Sequence, residues 1–366
     1  MRNVQIRTMV LHSLRSHRIR TADVFPVVSG GMGDEDVVRA LVGDVFREGG
    51  VMRYGVPYKG SKNQIAEWVV DNLPKAEYFV DLFCGGCAVT HRALISGKYQ
   101  RFIINDINGR MPKSFLDAVH GKYTVENHPD WVSREEFHRL KDSDAYVAMI
   151  WSFGNNGKDY IYGEDIEEFK HAYHRAVFTD DTSLLVPYGY KITSTHKKAV
   201  YERYLEFNRQ IKEIARSDLD SIVRQIEIER LQSLQSLQSL QSLQSLQRDY
   251  SEVAIPKGAV IYCDPPYEGT NCGKYGGFDS GRFHEWARRQ DNIFISEYSM
   301  PDDFVIVAEC EKTILSAANG NSSKATERLY TNEKTYSHMT DRQKRIIALN
   351  TAQQLTIMDF LGKEDT

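Results

Sequence analysis

Residues 260–267 read Val-Ile-Tyr-Cys-Asp-Pro-Pro-Tyr, an apolar run that ends in an acid, two prolines and an aromatic residue. A short apolar run bounded by prolines is typical of a buried β-strand that leads into a turn. The two prolines stiffen the turn and remove backbone N–H donors from it. Because ligands of open α/β sheets bind beyond the carboxyl ends of the strands, Asp264 stands where a binding site is expected.

The residues of this turn suit chemistry on an exocyclic amino group. The lone pair of such an amine is delocalised into the ring, so the amine is a poor nucleophile. The Asp264 carboxylate and the Pro265 carbonyl can accept its two N–H groups and favour a tetrahedral nitrogen with an available lone pair. Tyr267 offers a flat face to an extruded base, and such stacking contributes about 1–3 kcal/mol. A plain strand and proline turn is the alternative for these four residues alone.

Two further segments place acids at the ends of predicted strands. Residues 78–89 read Tyr-Phe-Val-Asp-Leu-Phe-Cys-Gly-Gly-Cys-Ala-Val, a strand, a glycine turn and the start of a helix. The glycines let the backbone approach a ligand, and the helix start presents free N–H groups. Residues 101–108 read Arg-Phe-Ile-Ile-Asn-Asp-Ile-Asn, and Asp106 follows this second strand, where doubly wound folds hold a ribose diol.

The order of strand and helix patterns predicts a doubly wound α/β fold. Strands are expected near 78–84, 101–105, 259–263, 292–297 and 304–310, with helical patterns between them. Such alternation implies a mostly parallel sheet. Asp81, Asp106 and Asp264 should therefore converge on one crevice at its carboxyl edge.

The segment order resembles that of the Dam-type DNA adenine N6-methyltransferases, especially their phage-like branch. Residues 58–62 read Tyr-Lys-Gly-Ser-Lys and precede the glycine loop, an intervening region and the Asp-Pro-Pro-Tyr turn, as in that family. The runs Trp-Ser-Phe-Gly-Asn-Asn at 151–156 and Ile-Ser-Glu-Tyr-Ser at 295–299 are also similar, and the resemblance covers roughly residues 53–333. The family usually has Phe-x-Gly-x-Gly in the loop, whereas Cys87 takes the last glycine position here.

The resemblance implies a Rossmann-like methyltransferase sheet with an inserted, mostly helical target-recognition region. It implies transfer of a methyl group from S-adenosyl-L-methionine to the N6 amine of a flipped-out adenine in double-stranded DNA. The implied catalytic residues are Asp264, Pro265, Pro266 and Tyr267. The implied cofactor residues are Tyr58, Lys59, Lys62, Asp81, Phe83, Gly85, Gly86 and Asp106, with a looser match at Asp249 and Tyr250.

The chain divides into four predicted regions. Residues 1–51 form an N-terminal extension with a helical pattern at 34–48, and residues 334–366 form a C-terminal tail. Residues 52–121 and 251–333 form the catalytic core, and residues 122–250 form the recognition region. Its candidate DNA contacts carry amide, cationic or aromatic side chains, although Asn-Asn-Gly also suits a plain turn and scattered lysines a solvated face. They are Asn155, Asn156, Lys158, Tyr160, Lys191, His196, Lys197 and Lys198.

Residues 231–247 form a Leu-Gln-Ser repeat of period 3. Successive leucines of such a repeat shift by about 60° around an α-helix, so no single helix face is apolar throughout. The composition still favours helix, and we expect a length-tolerant arm that projects from the recognition region. A low-complexity insertion without function is the alternative.

Composition limits the remaining possibilities. The net charge of −4 means that DNA contacts must come from local patches. The five cysteines lack a disulfide-like or zinc-like spacing, so we expect no metal and a reducing cytoplasm, in a bacterium or a phage-infected cell. No apolar run of about 18 residues occurs, so we expect no membrane span.

Two other functions are left open by these residues. Methylation of the N4 amine of cytosine uses the same amino-group chemistry, and a DNA-binding regulator could retain a non-catalytic cofactor site. A homodimer and a restriction endonuclease partner are also left open by the sequence.

Overall fold

A computed structural model describes most of the chain. The described residues are 47–48, 51–52, 54–124, 127–128, 130–189, 200–214, 231, 234–237, 242–267, 277–315, 322–341, 343–345 and 347. Most of the predicted extension and of the predicted tail therefore lies outside them. The helix predicted over 34–48 is described only at Arg47–Glu48, which form a strand.

The described residues contain both strands and helices. The strands are β1 (Arg47–Glu48), β2 (Val51–Met52), β3 (Tyr78–Asp81), β4 (Arg101–Asn105), β5 (Ser242–Leu246), β6 (Val260–Cys263), β7 (Ile293–Glu297), β8 (Phe304–Leu315) and β9 (Ser322–Asn332). The helices are α1 (Ala66–Asn72), α2 (Ala88–Ile95), α3 (Arg110–Val119), α4 (Arg134–Leu140), α5 (Ala145–Ile150), α6 (Glu167–Thr179), α7 (Val200–Ile214), α8 (Ser280–Arg289) and α9 (Glu333–His338).

Seven strands form one mostly parallel sheet in the order β5-β4-β3-β6-β7-β9-β8. Within this sheet the neighbouring pairs β5–β4, β4–β3, β3–β6 and β6–β7 are parallel. β9 lies antiparallel to both β7 and β8. β1 and β2 form a separate antiparallel pair. This sheet confirms the predicted doubly wound α/β class and the five predicted strands.

Parallel strands covered on both faces are nearly continuous apolar runs, and the central strands follow this rule. All four residues of β6 and all five of β7 are buried. Val80, Ile261 and Ile295 from three adjacent strands pack in one core with Phe283 and Trp286 of α8. This packing fixes the carboxyl ends of the strands, where the three acidic residues identified in the sequence lie.

The Leu-Gln-Ser repeat is not a projecting helix in its described part. Residues 242–246 form the edge strand β5, which pairs in parallel with β4, and Leu234–Leu237 form a 3₁₀ turn. Leu231, Leu234 and Leu237 are buried. Residues three apart on a strand face opposite sides, so Leu243 and Leu246 can each cover one face of the sheet edge. The helical arm was therefore a wrong prediction here, because pairing with β4 overrides the local helix preference.

The described residues between β4 and β5 include the helices α3 to α7. Part of this region has a core of its own, in which Tyr173 and Val177 of α6 pack against Leu185 and against Phe207 of α7. None of the described helices combines the length and hydropathy that a membrane span requires.

Candidate active site

A cleft of about 900 Å³ lies at the carboxyl edge of the sheet. Asp81 ends β3, Asp106 follows β4 and Asp264 follows β6, and all three line this cleft. The strand topology thus brings together the three acids as predicted. The cleft also contains most of the other residues assigned from the sequence, namely Tyr58, Lys59, Lys62, Phe83, Gly85, Gly86, Asp249, Tyr250, Pro265, Pro266 and Tyr267.

The glycine loop is held by close backbone contacts. Gly85 has a φ of +45°, and its N–H donates to Asp106 Oδ2 at 2.9 Å. On the other side, Val56 N–H donates to Gly86 O at 2.7 Å. Gly55 packs so closely that a Cβ there would lie 2.2 Å from Gly86 O. Residues 55 and 56 therefore fix the loop from outside the motif, a role that the sequence did not indicate.

Cys87 adopts a left-handed conformation with a φ of +58°. The residue is buried and begins α2. A left-handed residue with a Cβ costs about 1–2 kcal/mol. Cys87 therefore adds strain to the loop.

Asp81 has a buried carboxyl group, and only one of its two oxygens accepts a hydrogen bond within the described part of the chain. Thr90 Oγ1 donates to its Oδ2 at 2.6 Å, whereas Oδ1 has no hydrogen-bond partner among the described residues. Burial raises the pKa of Asp81 to about 8, although the Thr90 hydrogen bond opposes this shift. A buried acceptor without a partner is costly, so Oδ1 suits a donor supplied by a ligand.

Asp106 accepts backbone hydrogen bonds with both oxygens. Besides the bond from Gly85, its Oδ1 accepts from Asn108 N–H at 2.8 Å. Burial raises the pKa of Asp106, and the two N–H donors counteract that rise. Each carboxylate oxygen has a second lone-pair site, so the group can still accept from a ligand hydroxyl in the cleft.

The far end of the cleft is aromatic. The Tyr250 ring lies 5.4 Å from the Phe83 ring, centroid to centroid, and packs against Phe283 and Trp286. Next to it, Arg282 forms a bidentate pair with Asp249, with both N···O distances at 3.0 Å. Partial burial alone would raise the pKa of Asp249, but the Arg282 and Ser251 hydrogen bonds hold it below its usual value. Arg282 was not identified from the sequence.

The Asp-Pro-Pro-Tyr turn meets a buried lysine. Lys62 Nζ lies 3.0 Å from Asp264 Oδ1 and 3.2 Å from Glu327 Oε1. It also donates to the Tyr267 hydroxyl, which in turn donates to Glu327. Burial alone would lower the pKa of Lys62, but the Asp264 and Glu327 carboxylates overcome burial and raise it. Lys62 is therefore a cation at neutral pH.

Two residues at the end of β7, Glu297 and Tyr298, lie beside the groups of this turn. Glu297 is buried and accepts from Tyr298 N–H at 2.8 Å. Burial raises the pKa of Glu297 to about 8, so this carboxyl group is mostly protonated at neutral pH. The Tyr298 ring meets the Tyr267 ring edge to face at 4.7 Å. Tyr298 therefore supports one side of the aromatic ring that the turn presents.

The predicted DNA contacts are only partly described. Asn155, Asn156 and Lys158 form a loop that lines the cleft, and Asn156 Oδ1 stabilises the turn by accepting from Lys158 N–H at 2.7 Å. Tyr160 is buried, and its hydroxyl donates to Val132 O at 2.8 Å, so it supports the loop from within. The other candidates, Lys191, His196, Lys197 and Lys198, lie outside the described residues.

Glu327 is the main residue of this site that the sequence did not indicate. It lies on β9, 63 positions after Asp264, and no local motif marks it. Only the antiparallel insertion of β9 beside β7 brings it to Lys62. The described residues contain no group of three or more side chains arranged to hold a metal ion.

Residues 58–347 match the protein family described as D12 class N6 adenine-specific DNA methyltransferase. Among curated proteins, none matches the sequence.

Proposed function

The chain belongs to the family of D12 class N6 adenine-specific DNA methyltransferases, and from this premise we propose how its cleft performs the reaction. Membership makes the chain an enzyme that methylates adenine in DNA. The proposal concerns the methyl donor, the state of the base and the residues involved. Its main support is that Asp264 shares one cleft with the Gly85–Asp106 contact, so the proposed donor site and the proposed amine site would belong to the same cleft.

The proposed donor is S-adenosyl-L-methionine, which supplies a methyl group on a positively charged sulfur and retains the electron pair of the broken S–C bond. Asp81 Oδ1 would accept from its ammonium group, and the loop at Gly85 and Gly86 would contact the same end. Asp106 would accept from the ribose hydroxyls. Fit to this donor is supported by the unpartnered Oδ1 atom and by the close backbone approach at the loop.

The adenine end of the donor would lie in the aromatic part of the cleft. Phe83 and Tyr250 offer ring faces or edges there, and Asp249 offers a carboxylate that Arg282 holds in place. The Tyr250 hydroxyl has no hydrogen-bond partner among the described residues, so a ligand can supply one. Tyr58, Lys59 and Lys62 would close the donor site from the first segment.

The target adenine would be flipped out of the duplex, with its amine at Asp264 and Pro265. The two acceptors would take its two N–H groups and free its lone pair for attack on the methyl group. After the N–C bond forms, the surplus amine proton would pass to the Asp264 carboxylate. The Tyr267 ring would stack on the base, which offsets part of the few kcal/mol that flipping costs.

Residues 122–250, apart from the strand β5, would read the DNA. The loop at Asn155, Asn156 and Lys158 lies at the cleft and would contact the strand that carries the target base. Asparagine can pair with adenine in the major groove, and lysine suits phosphate. Residues 52–121 and 251–333 would form the catalytic core. The absence of a disulfide-like cysteine pattern suits a reducing cytoplasm, in a bacterium or a phage-infected cell.

Tritiated methyl transfer followed by nucleoside analysis tests this function. The purified chain, duplex DNA and S-adenosyl-L-methionine should give labelled N6-methyladenine. Labelled N4-methylcytosine would contradict the choice of base. Cofactor binding without any transfer, across DNA of diverse sequence, would favour a DNA-binding regulator instead.

A further inference from the structure

Arg110 joins the segment after β4 to the region between β4 and β5. It is the first residue of α3, four positions after Asp106, and it lines the cleft. Its Nη1 atom donates to the backbone oxygen of Lys141 at 3.0 Å and to that of Asp142 at 2.9 Å. The side chain therefore bridges the end of the acid-bearing turn and a turn that lies 31 and 32 positions further along the sequence.

The two acceptors lie at the carbonyl end of α4. Lys141 is the C-cap of that helix, and the last carbonyl groups of a helix have no partner within it. A cation at this end also interacts favourably with the helix dipole. Arg110 therefore satisfies acceptors of the turn between α4 and α5 and holds that turn against the start of α3.

The same turn sets the start of α5. Asp144 caps this helix, since its Oδ1 accepts from Tyr146 N–H at 2.8 Å and from Val147 N–H at 3.2 Å. The residues of α5 that line the cleft are Ala145, Ala148 and Met149. A shift of the turn would therefore move a helix that forms part of the cleft wall.

The end of α5 holds the loop of residues 153–158, which carries the proposed DNA contacts. Asn155 Nδ2 donates to Met149 O at 2.7 Å, and the Ser152 hydroxyl accepts from Gly157 N–H at 2.9 Å. Because these contacts tie the loop to the end of α5, the place of the loop at the cleft follows that of the helix.

We propose that Arg110 is a positioning residue that holds the loop of residues 153–158 at the target strand of the DNA. This inference rests on the proposed function, in which that loop contacts DNA. Arg110 acts through the turn between α4 and α5 and through α5 itself, and it needs no contact of its own with DNA or with the methyl donor. Asp106 has its two N–H donors independently of Arg110, so the proposed donor site does not depend on this side chain.

The substitution Arg110→Met removes the donors and keeps an unbranched side chain. With unmethylated duplex DNA of mixed sequence as substrate, we expect the KM for DNA to rise by about 3–30-fold, as for residues that act on a site through intervening contacts. The kcat at saturating DNA and the Kd for S-adenosyl-L-methionine should stay within about threefold of wild type. A smaller rise in the KM for DNA, or a larger change in the donor Kd, would overturn the proposal.

Lys98→Met is the matched control. Lys98 Nζ donates to three backbone oxygens at the carbonyl end of α1, and it is not among the residues that line the cleft. The substitution therefore also removes a cation from the end of a helix and should lower the melting temperature, as Arg110→Met does. The KM for DNA should stay within about twofold of wild type. An equal rise in KM in both variants would overturn the proposal, since it would reflect lost stability rather than a displaced loop.

The double variant Arg110→Met/Lys158→Met separates an indirect effect from a direct contact. If Arg110 acts by placing the loop, its removal already weakens the proposed phosphate contact of Lys158. The rise in KM should then be smaller than the product of the two single rises. Rises that multiply would overturn the proposal, because Arg110 would then act independently of the loop. A wild-type chain that binds duplex DNA without methyl transfer would refute the proposed function instead, and fluorescence anisotropy with the same variants would still test the role of Arg110.

Discussion

The N–H of Gly85 donates to the carboxylate of Asp106 at 2.9 Å and thereby joins the glycine loop after β3 to the end of β4. Two predicted cofactor elements are thus mechanically coupled before any ligand binds. A loop that is already in place loses less entropy when it binds a ligand.

Replacement of Asp106 by alanine should therefore weaken cofactor binding more than it weakens folding. The variant loses a ribose acceptor and frees the loop, which we expect to cost about 1.5–3 kcal/mol in binding free energy. Isothermal titration with S-adenosyl-L-methionine measures this change. An unchanged Kd would show that the end of β4 does not bind the donor.

Asp264→Asn should abolish methyl transfer and preserve cofactor binding. The amide keeps the shape of the side chain but cannot take the amine proton, so we expect a loss of at least about 100-fold in kcat. Transfer assays and cofactor titration on the same preparation separate the two effects. Turnover close to that of wild type would refute the catalytic assignment of Asp264.

Cofactor affinity should rise with pH through the titration of Asp81. Burial raises the pKa of this group to about 8 in the free protein, so at pH 6.5 it is mostly protonated and must lose its proton to pair with a cationic ligand. The affinity should increase by up to about tenfold per pH unit below pH 8 and level off above it. Glu297 titrates in the same range.

The variant Asp81→Asn distinguishes the titration of Asp81 from that of Glu297. The variant should bind the cofactor more weakly at pH 8.5 and should lack the part of the pH dependence that Asp81 causes. Parallel pH profiles for the variant and wild type would assign the dependence to another group.

Replacement of Cys87 by glycine should leave the protein more stable than replacement by alanine. Both substitutions remove the buried sulfur atom, but only glycine adopts a φ of +58° without strain. We expect Cys87→Gly to exceed Cys87→Ala by about 1 kcal/mol in free energy of unfolding. Urea denaturation of the two variants gives this difference directly, and equal stabilities would show that the loop relaxes around a Cβ.

A deletion of one Leu-Gln-Ser triplet should destabilise the protein, whereas an insertion of one should not. Only four residues separate the buried Leu237 from Ser242 at the start of β5. Deletion would therefore pull a buried leucine or the strand out of place, which costs about 2–5 kcal/mol for one leucine. Thermal unfolding of both variants tests this expectation. A deletion that leaves the melting temperature unchanged would support the interpretation of the repeat as a projecting arm.

The sequence predicted the parts of the fold that local patterns encode. Apolar runs gave the central strands, and an acid after each of three of them placed the cleft. The secondary structure of the repeat could not be predicted in this way. Its period of 3 matches neither a helix nor a strand, and pairing with β4 makes its last part a strand. Glu327 was missed for a similar reason, since its position in the site depends on how β9 inserts beside β7. Gly55 carries no motif, and its role appears only in its distance to Gly86.

The edge strand β5 has a further property because its sequence is periodic. If the strand slid by one triplet so that residues 239–243 paired with β4, every position opposite β4 would receive the same residue type that it held before. The residue types paired with β4 therefore repeat in steps of three, and contacts outside the repeat, such as those between Asn105 and the Arg248 backbone with N···O distances of 3.0 Å, distinguish one alignment from the next. A chain with one additional triplet in this tract could therefore present the same residue types to β4.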